Sequence, residues 1–301
     1  MATLRDIRNR ILGVKSIEKI TSAMKMVSSI KSRRSQKQIE AARPYFRSIE
    51  KKLISLNDSE EIANNDNKLL RAKNEVIKNV AILIVAGDKG MCGAFNNGLF
   101  KEIDAYLAGE FKELYPGATP HLILFGTKTV EHYKKKKHNV IGEFSNAFQS
   151  LKFSVVEAIH STYYDNFLIG DIDRVEIFYN RFVNVMKQVP TRFQLLPIEI
   201  KKDLTEKESD NSNSNTNYIF EPDKKTLLDT LINQYLDWNI WGPILESNAA
   251  EQAARLIAMD KATQNAQELI KDLELQYNNA RQAAITTEML EIVGGAEALK
   301  K

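Results

Sequence analysis

Between residues 245 and 287 the chain sets Leu245, Ala249, Gln252, Leu256, Met259, Thr263, Ala266, Ile270, Leu273, Tyr277, Ala280, Ala284 and Thr287 at strictly alternating steps of four and three. A period of about 3.5 residues keeps one seam of a helix turned toward a partner and imposes a left-handed supercoil. This end of the chain therefore reads as half of a coiled coil. The seam is thin, because alanine, threonine and glutamine interrupt the large side chains. Small residues allow close approach but bury little apolar area, so such a coil needs completion by its surroundings.

The other half is predicted at the N-terminus. Leu4, Ile7, Ile11, Val14, Ile17, Ile20, Met24 and Val27 recur three or four residues apart, with no proline before Pro44, which is the spacing of an amphipathic helix. Thr3 with Asp6 three residues later predicts the cap that starts it. Residues 1–56 read as one helix, or as two joined near Pro44, since the residue before a proline disfavours helix. Two such helices at opposite ends of a sequence can pair only if the ends meet in space.

What lies between them alternates strand and helix. A polar linker at 57–78 precedes the β-branched run at 79–86, the pattern of a strand buried on both faces. The glycine-rich turn at 87–93, a helix at 97–111, a second buried strand at 121–125 and a short helix carrying Lys134, Lys135, Lys136 and Lys137 follow. A helix is predicted at 148–167, a strand at 174–179 and extended chain at 191–200. The alternation predicts a parallel, Rossmann-like sheet in residues 79–202. Residues 203–222 read as a polar loop and foot, Asn/Ser-rich at 211–215, and residues 223–301 as the C-terminal coiled-coil helix with a kink at Gly242 and Pro243.

Composition narrows the function classes. The mean hydropathy of −0.34 and the absence of a long apolar run argue against membrane insertion. One cysteine, Cys92, leaves no partner for an internal disulfide and no multi-cysteine zinc site. The net charge is only +3 over 301 residues, but ten cations (Arg5, Arg8, Arg10, Lys15, Lys19, Lys25, Lys31, Arg33, Arg34 and Lys37) face only Asp6 and Glu18 in the first 37. A solvated face, a nucleic acid and an acidic protein partner all suit such a helix. No leader segment is expected, since the basic start belongs to the seam helix.

Candidate chemistry is sparse. The turn Gly87-Asp88-Lys89-Gly90-Met91-Cys92-Gly93 lies between strand and helix, where backbone N–H groups can cradle phosphate, but it lacks the GxGxxG order and any following Gly-Lys-Ser/Thr. His121, His132, His138 and His160 have no metal-ligand spacing, and Cys92 has no histidine partner in sequence. The expectation is no active site, no metal and no cofactor.

Four separated motifs add a resemblance. Ile17-Glu18-Lys19-Ile20-Thr21-Ser22-Ala23-Met24-Lys25-Met26-Val27, the segment 88–96 (DKGMCGAFN), the segment 251–259 (EQAARLIAM) and the segment 285–298 (ITTEMLEIVGGAEA) together closely resemble the gamma subunit of F-type ATP synthases. They stand in the right order and cover essentially the whole chain. The resemblance implies an α/β protein in which N- and C-terminal helices form a long antiparallel coiled coil with the Rossmann-like domain inserted between them. It implies a rotor shaft that couples proton-driven c-ring rotation to ATP synthesis or hydrolysis on beta subunits, with no catalysis of its own. Its implied partners are three alpha and three beta subunits, the epsilon subunit and the c-ring. By motif match Met24, Lys25, Arg281, Gln282, Thr286 and Glu288 fall at the hexamer interface, and Tyr218, Phe220 and Glu221 at the foot near epsilon and the c-ring. The Cys-bearing regulatory insertion of chloroplast relatives is absent, so the resemblance implies a bacterial type, peripheral on the cytoplasmic face of the inner membrane. A narrow bore also predicts a polar, smooth shaft surface. A basic coiled-coil nucleic-acid-binding or scaffold protein, and a nucleotide-dependent enzyme using the 87–93 turn, are the competing readings.

Overall fold

The computed structural model describes residues 3–57, 69–70, 77–136, 138–149, 151–198 and 223–298. Most of the predicted linker, the polar loop, and Tyr218, Phe220 and Glu221 lie outside them. The chain divides into two compact units, residues 1–30 with 255–301, and residues 31–254. Helix α1 (Leu4–Asn57) and helix α6 (Lys224–Ala298) each contribute to both. Pro44 and Pro243 lie inside these helices without interrupting them. Of the two readings for the N-terminal segment, the single helix is the one formed, and α6 continues past Pro243, which is itself buried, although each proline removes one N–H.

In the larger unit, β1 (Asn79–Val85), β2 (Thr119–Phe125), β3 (Asn139–Phe144), β4 (Arg174–Phe182) and β5 (Gln188–Leu196) form one sheet in the order β3-β2-β1-β4-β5. Strands β1 to β4 are parallel, and β5 returns antiparallel on β4. Helices α2 (Phe95–Ala108), α3 (Glu110–Leu114), α4 (Thr127–Tyr133) and α5 (Ser154–Ile169) supply the crossovers. The central strand alternates its side chains between two cores. Val80, Ile82 and Ile84 pack with Leu99, Ile103 and Tyr106 of α2, whereas Ala81, Leu83 and Val85 pack with Val156, Ile159 and Tyr163 of α5 and with Leu236 and Ile240 of α6. Strand β3 and the start of α5 at Ser154 depart from the sequence reading. The segment NVIGEF is only half-buried, exposes Asn139 and Glu143 and is broken by Gly142, so its apolar run is too short to read as a strand; it is an edge strand, held by its ladder to β2.

Helix α5 brings a half-buried histidine against α6. His160 Nδ1 lies 3.4 Å from an Asp237 carboxylate oxygen, and its Nε2 is buried without a hydrogen-bond partner. Burial pushes the imidazole down to about 4 from an ordinary 6.5, outweighing the carboxylate because Asp237 is itself pushed up by burial and by Glu157. Below pH 6.5 the unfolded chain takes a proton that the folded chain refuses, so stability is lost as pH falls from 6.5 toward 4. The full effect is about 3 kcal/mol, partly offset by the opposite shift of Asp237. Urea unfolding of His160→Gln should therefore lose less stability between pH 6.5 and 4.5 than the parent chain. Equal slopes would place the acid sensitivity elsewhere.

The smaller unit is an antiparallel pair of helical segments. Lys15 bonds Glu274 (2.7 Å), Gln267 donates to Glu18 (2.9 Å), the Thr21 and Thr263 hydroxyls meet at 2.9 Å, and Lys25 pairs with Asp260 (2.5 Å). The number on α6 falls as the number on α1 rises, which fixes the direction. Thr3 and Asp6 cap α1 reciprocally: Thr3 Oγ1 accepts from the Asp6 N–H, and the Asp6 carboxylate accepts from the Thr3 N–H and hydroxyl.

The α6 seam follows the heptad reading closely, with Met259, Thr263, Ala266 and Leu273 buried and Ile270, Tyr277, Ala280 and Ala284 partly so. On α1 the reading needs correction. Ile7, Ile11 and Val14 are buried, but the seam then passes through Glu18, Thr21, Lys25 and Ser28, leaving Ile17, Ile20 and Val27 52–59% exposed and Met24 only partly covered. Two stripes with helical spacing share this helix, and α6 selects the small and hydroxylated one because its own seam there is Met259, Thr263 and Ala266. Close backbone approach and a buried Thr–Thr contact outweigh the apolar stripe, which is left facing outward.

Candidate functional site

In doubly wound sheets, ligands enter the crevice beyond the strand ends where the crossover direction reverses. Here that point lies between β1 and β4, and the glycine turn at 87–93 closes β1 beside it. The turn is held from several sides. Gly87 N–H donates to the buried Asn96 Oδ1 (2.9 Å). The Asp88 carboxylate accepts from the Thr127 N–H and hydroxyl and from the Phe148 N–H (2.9, 3.1 and 2.9 Å), tying the turn after β1 to the start of α4 and the loop after β3. The first free N–H of α4 is thus taken by this carboxylate, and the turn is committed to holding the strand ends together.

The crevice itself is filled by α6. Ser247 donates to the Val85 carbonyl at the end of β1 (3.3 Å). Ala250 packs with Cys92 and Phe95, and the Glu251 side chain, 3% exposed, lies against the α carbon of Gly87. A nucleotide here would have to displace a helix, so the geometry makes this turn a docking point for α6. Among the described residues no group of three or more His, Cys, Asp or Glu is placed to hold a metal ion. None of the helices described is long and apolar enough to cross a membrane.

The remaining candidates lie on the coil in the smaller unit. Met24 and Lys25 sit side by side, with Lys25 in its ion pair to Asp260. Arg281, Gln282, Thr286 and Glu288 are all exposed on α6, and Thr286 Oγ1 donates to the Gln282 carbonyl (2.9 Å). The two groups do not converge. From Asp260 to Arg281 is about 30 Å of helix at ~1.5 Å per residue, so they mark two levels of the coil.

Sequence reasoning missed what surrounds them. Ile17, Ile20, Val27 and Ile30 form an exposed apolar row on α1, and Ile285, Met289, Leu290, Ile292 and Val293 another on α6, where every residue from 285 to 296 is exposed. The expected smooth polar surface is therefore incorrect. A signal was present: these α6 residues fall outside the seam sequence of 280, 284 and 287, and unpartnered apolar side chains in number mark contact surfaces. Charge is also uneven around the coil, with α1 cationic and α6 mildly acidic, carrying Asp260, Glu268, Asp272, Glu274, Glu288 and Glu291 against Arg255, Lys261, Lys271 and Arg281 on the same stretch.

An antiparallel coil with exposed apolar and cationic rows, and a sheet whose ligand crevice is plugged by its own helix, define a mechanical or assembly element rather than a catalytic pocket. The chain matches the family described as ATP synthase over residues 3–299. It is 42% identical over 300 residues to the ATP synthase gamma chain of Chlorobium phaeobacteroides, covering 100% of both chains. It is 40% identical over 301 residues to that of Chlorobaculum tepidum, again covering 100% of both. A chain in the cryo-EM structure of Euglena gracilis mitochondrial ATP synthase (OSCP/F1/c-ring, rotational state 3) shares the fold, with a TM-score of 0.65 at 20% identity over 98% of this chain and 94% of that one. The chain belongs to the ATP synthase gamma-chain family.

Proposed function

We infer that this chain is the central rotor shaft of an F-type ATP synthase, a non-catalytic subunit that couples proton-driven rotation to ATP synthesis or hydrolysis on other chains. The observation that carries the reading is the thin antiparallel coil, closed inside by small and hydroxylated residues and carrying exposed apolar and charged rows outside. A shaft biases identical catalytic sites only by touching them differently, because a contact equal in two states shifts neither. Two antiparallel helices of unlike charge have no threefold symmetry, so each of three beta subunits meets a different face. Rotation carries that difference from site to site.

On this reading Met24, Lys25, Arg281, Gln282, Thr286 and Glu288 lie against a hexamer of three alpha and three beta subunits, with the exposed isoleucine and methionine rows beside them. Residues 79–202 and the segment holding Tyr218, Phe220 and Glu221 form the base toward epsilon and the c-ring. The chain needs no cofactor and works at the cytoplasmic face of a bacterial inner membrane.

The test is reconstitution. One copy of the chain should enter each alpha–beta hexamer on size exclusion, and ATP hydrolysis should rise by about tenfold or more over the hexamer alone, equivalent to ~1.4 kcal/mol of differential contact. A chain that stays outside the hexamer and leaves turnover unchanged would reject the reading, and salt-sensitive DNA binding would then be tested.

A further inference from the structure

We propose that Glu251 is the positioning residue that locks α6 in one rotational register on the sheet, so that torque received by the α/β domain passes into the helix instead of turning it in place. The inference rests on the rotor reading and goes beyond it by assigning the joint. Ser247, Ala250 and Glu251 are spaced i, i+3 and i+4, so they form one face of α6, and all three are buried at the crevice between β1 and β4. Ser247 contributes a single 3.3 Å hydrogen bond to Val85, and Ala250 a methyl contact. Further toward the N-terminus of α6, Leu236, Ile240 and Ile244 hold the helix by apolar burial in the core; at the strand ends neither Ser247 nor Ala250 resists rotation strongly.

Glu251 does. Its Cδ, Oε2 and Oε1 lie only 2.7, 2.8 and 3.1 Å from where a Cβ on residue 87 would sit, a space that exists only because residue 87 is glycine. Successive residues of a helix are ~100° apart, so even a modest turn of α6 about its axis drives this side chain across the Gly87 backbone. That backbone is a firm stop, anchored through Asn96 and, at the next residue, through Asp88 to the neighbouring loops. The crevice that holds a phosphate in nucleotide-binding sheets here holds the chain's own wedge.

The holoenzyme tests this in inverted membrane vesicles. In Glu251→Ala, proton pumping per ATP hydrolysed should fall about fivefold, while hydrolysis by the detached hexamer–shaft complex stays within about twofold, because the joint is loaded only when the base is held. Glu251→Gln keeps the shape and should pump as the parent does; Glu251→Asp withdraws from Gly87 and should lose pumping as alanine does, which covers the case in which alanine fails to assemble. Parent-like pumping by Glu251→Ala, or equal loss in Ala and Gln, overturns the wedge. If the parent chain neither joins the hexamer nor supports pumping, the rotor reading fails instead, and the joint falls with it for that separate reason.

Discussion

Gly126→Ala should destabilise the larger unit by about 4 kcal/mol, the sum of a backbone strain of roughly 1–3 kcal/mol and a steric conflict of similar size. Gly126 has φ +99°, a region that L side chains rarely adopt. A Cβ there would fall on the carbonyl oxygen of Ala86 and within 3.2 Å of the Gly87 carbonyl oxygen. Neither neighbour can retreat. Ala86 N–H donates to the Phe125 carbonyl (3.1 Å), Gly126 N–H to the Phe144 carbonyl (2.9 Å), and Lys128 N–H to the Gly87 carbonyl (3.1 Å), so the ends of three strands converge at this residue. Guanidinium unfolding followed by the fluorescence of Trp238 and Trp241 reads the cost, since both belong to the same unit. A loss under about 1 kcal/mol would mean that the strand ends part easily, and the firm stop required of the 87–93 turn would be weakened with them.

How much of this was written in the sequence depends on what chooses between equivalent patterns. The α6 seam was legible because Leu245, Met259, Ala266 and Leu273 follow one uninterrupted heptad, and each is buried. The core strands were legible because residues 80–85 and 122–125 are apolar on both faces, as a strand between two helical layers must be. The start of α1 was legible because a Thr–Asp capping box is a local device. The α1 seam beyond Val14 was not, because Ile17, Ile20 and Val27 and the true seam residues Glu18, Thr21 and Ser28 both satisfy helical spacing. Only the partner helix decides which stripe turns inward. Glu251 was hidden for a related reason: a glutamate in a helix reads as a solvated charge, and nothing local reveals that Gly87, distant in sequence, has left room for its side chain. The candidate contact residues could be placed on exposed helix faces, but their roles belong to surfaces that another chain supplies.

A second buried carboxylate offers the other large effect. Glu176→Ala should cost about 3 kcal/mol at pH 8, because it leaves two buried hydroxyls without their acceptor. Glu176 lies in β4, and its two oxygens accept from the Tyr106 and Tyr115 hydroxyls at 2.7 Å each. Arg174 donates to the Tyr115 oxygen (3.1 Å), and the Arg192 guanidinium lies over the Tyr106 ring at 4.4 Å while bonding Glu110 (2.8 Å). Glu176→Gln keeps an acceptor and the volume, so it should cost about 1 kcal/mol. The pH dependence separates this network from simple packing. Burial first, and the hydrogen bond to Glu176 second, push the Tyr106 and Tyr115 phenols above their ordinary 10.0. A raised folded value means that the folded chain keeps protons that the unfolded chain releases, so this stability is full below pH 10 and declines above it. Removing Glu176 removes part of that raise, so the alanine variant should decline less steeply between pH 9.5 and 11, and its deficit of about 3 kcal/mol should narrow there. Denaturant midpoints across that range measure both quantities. A deficit that is small at pH 8 and constant to pH 11 would show that the tyrosines find other acceptors, and that β4 is held to α2 and α3 by packing alone.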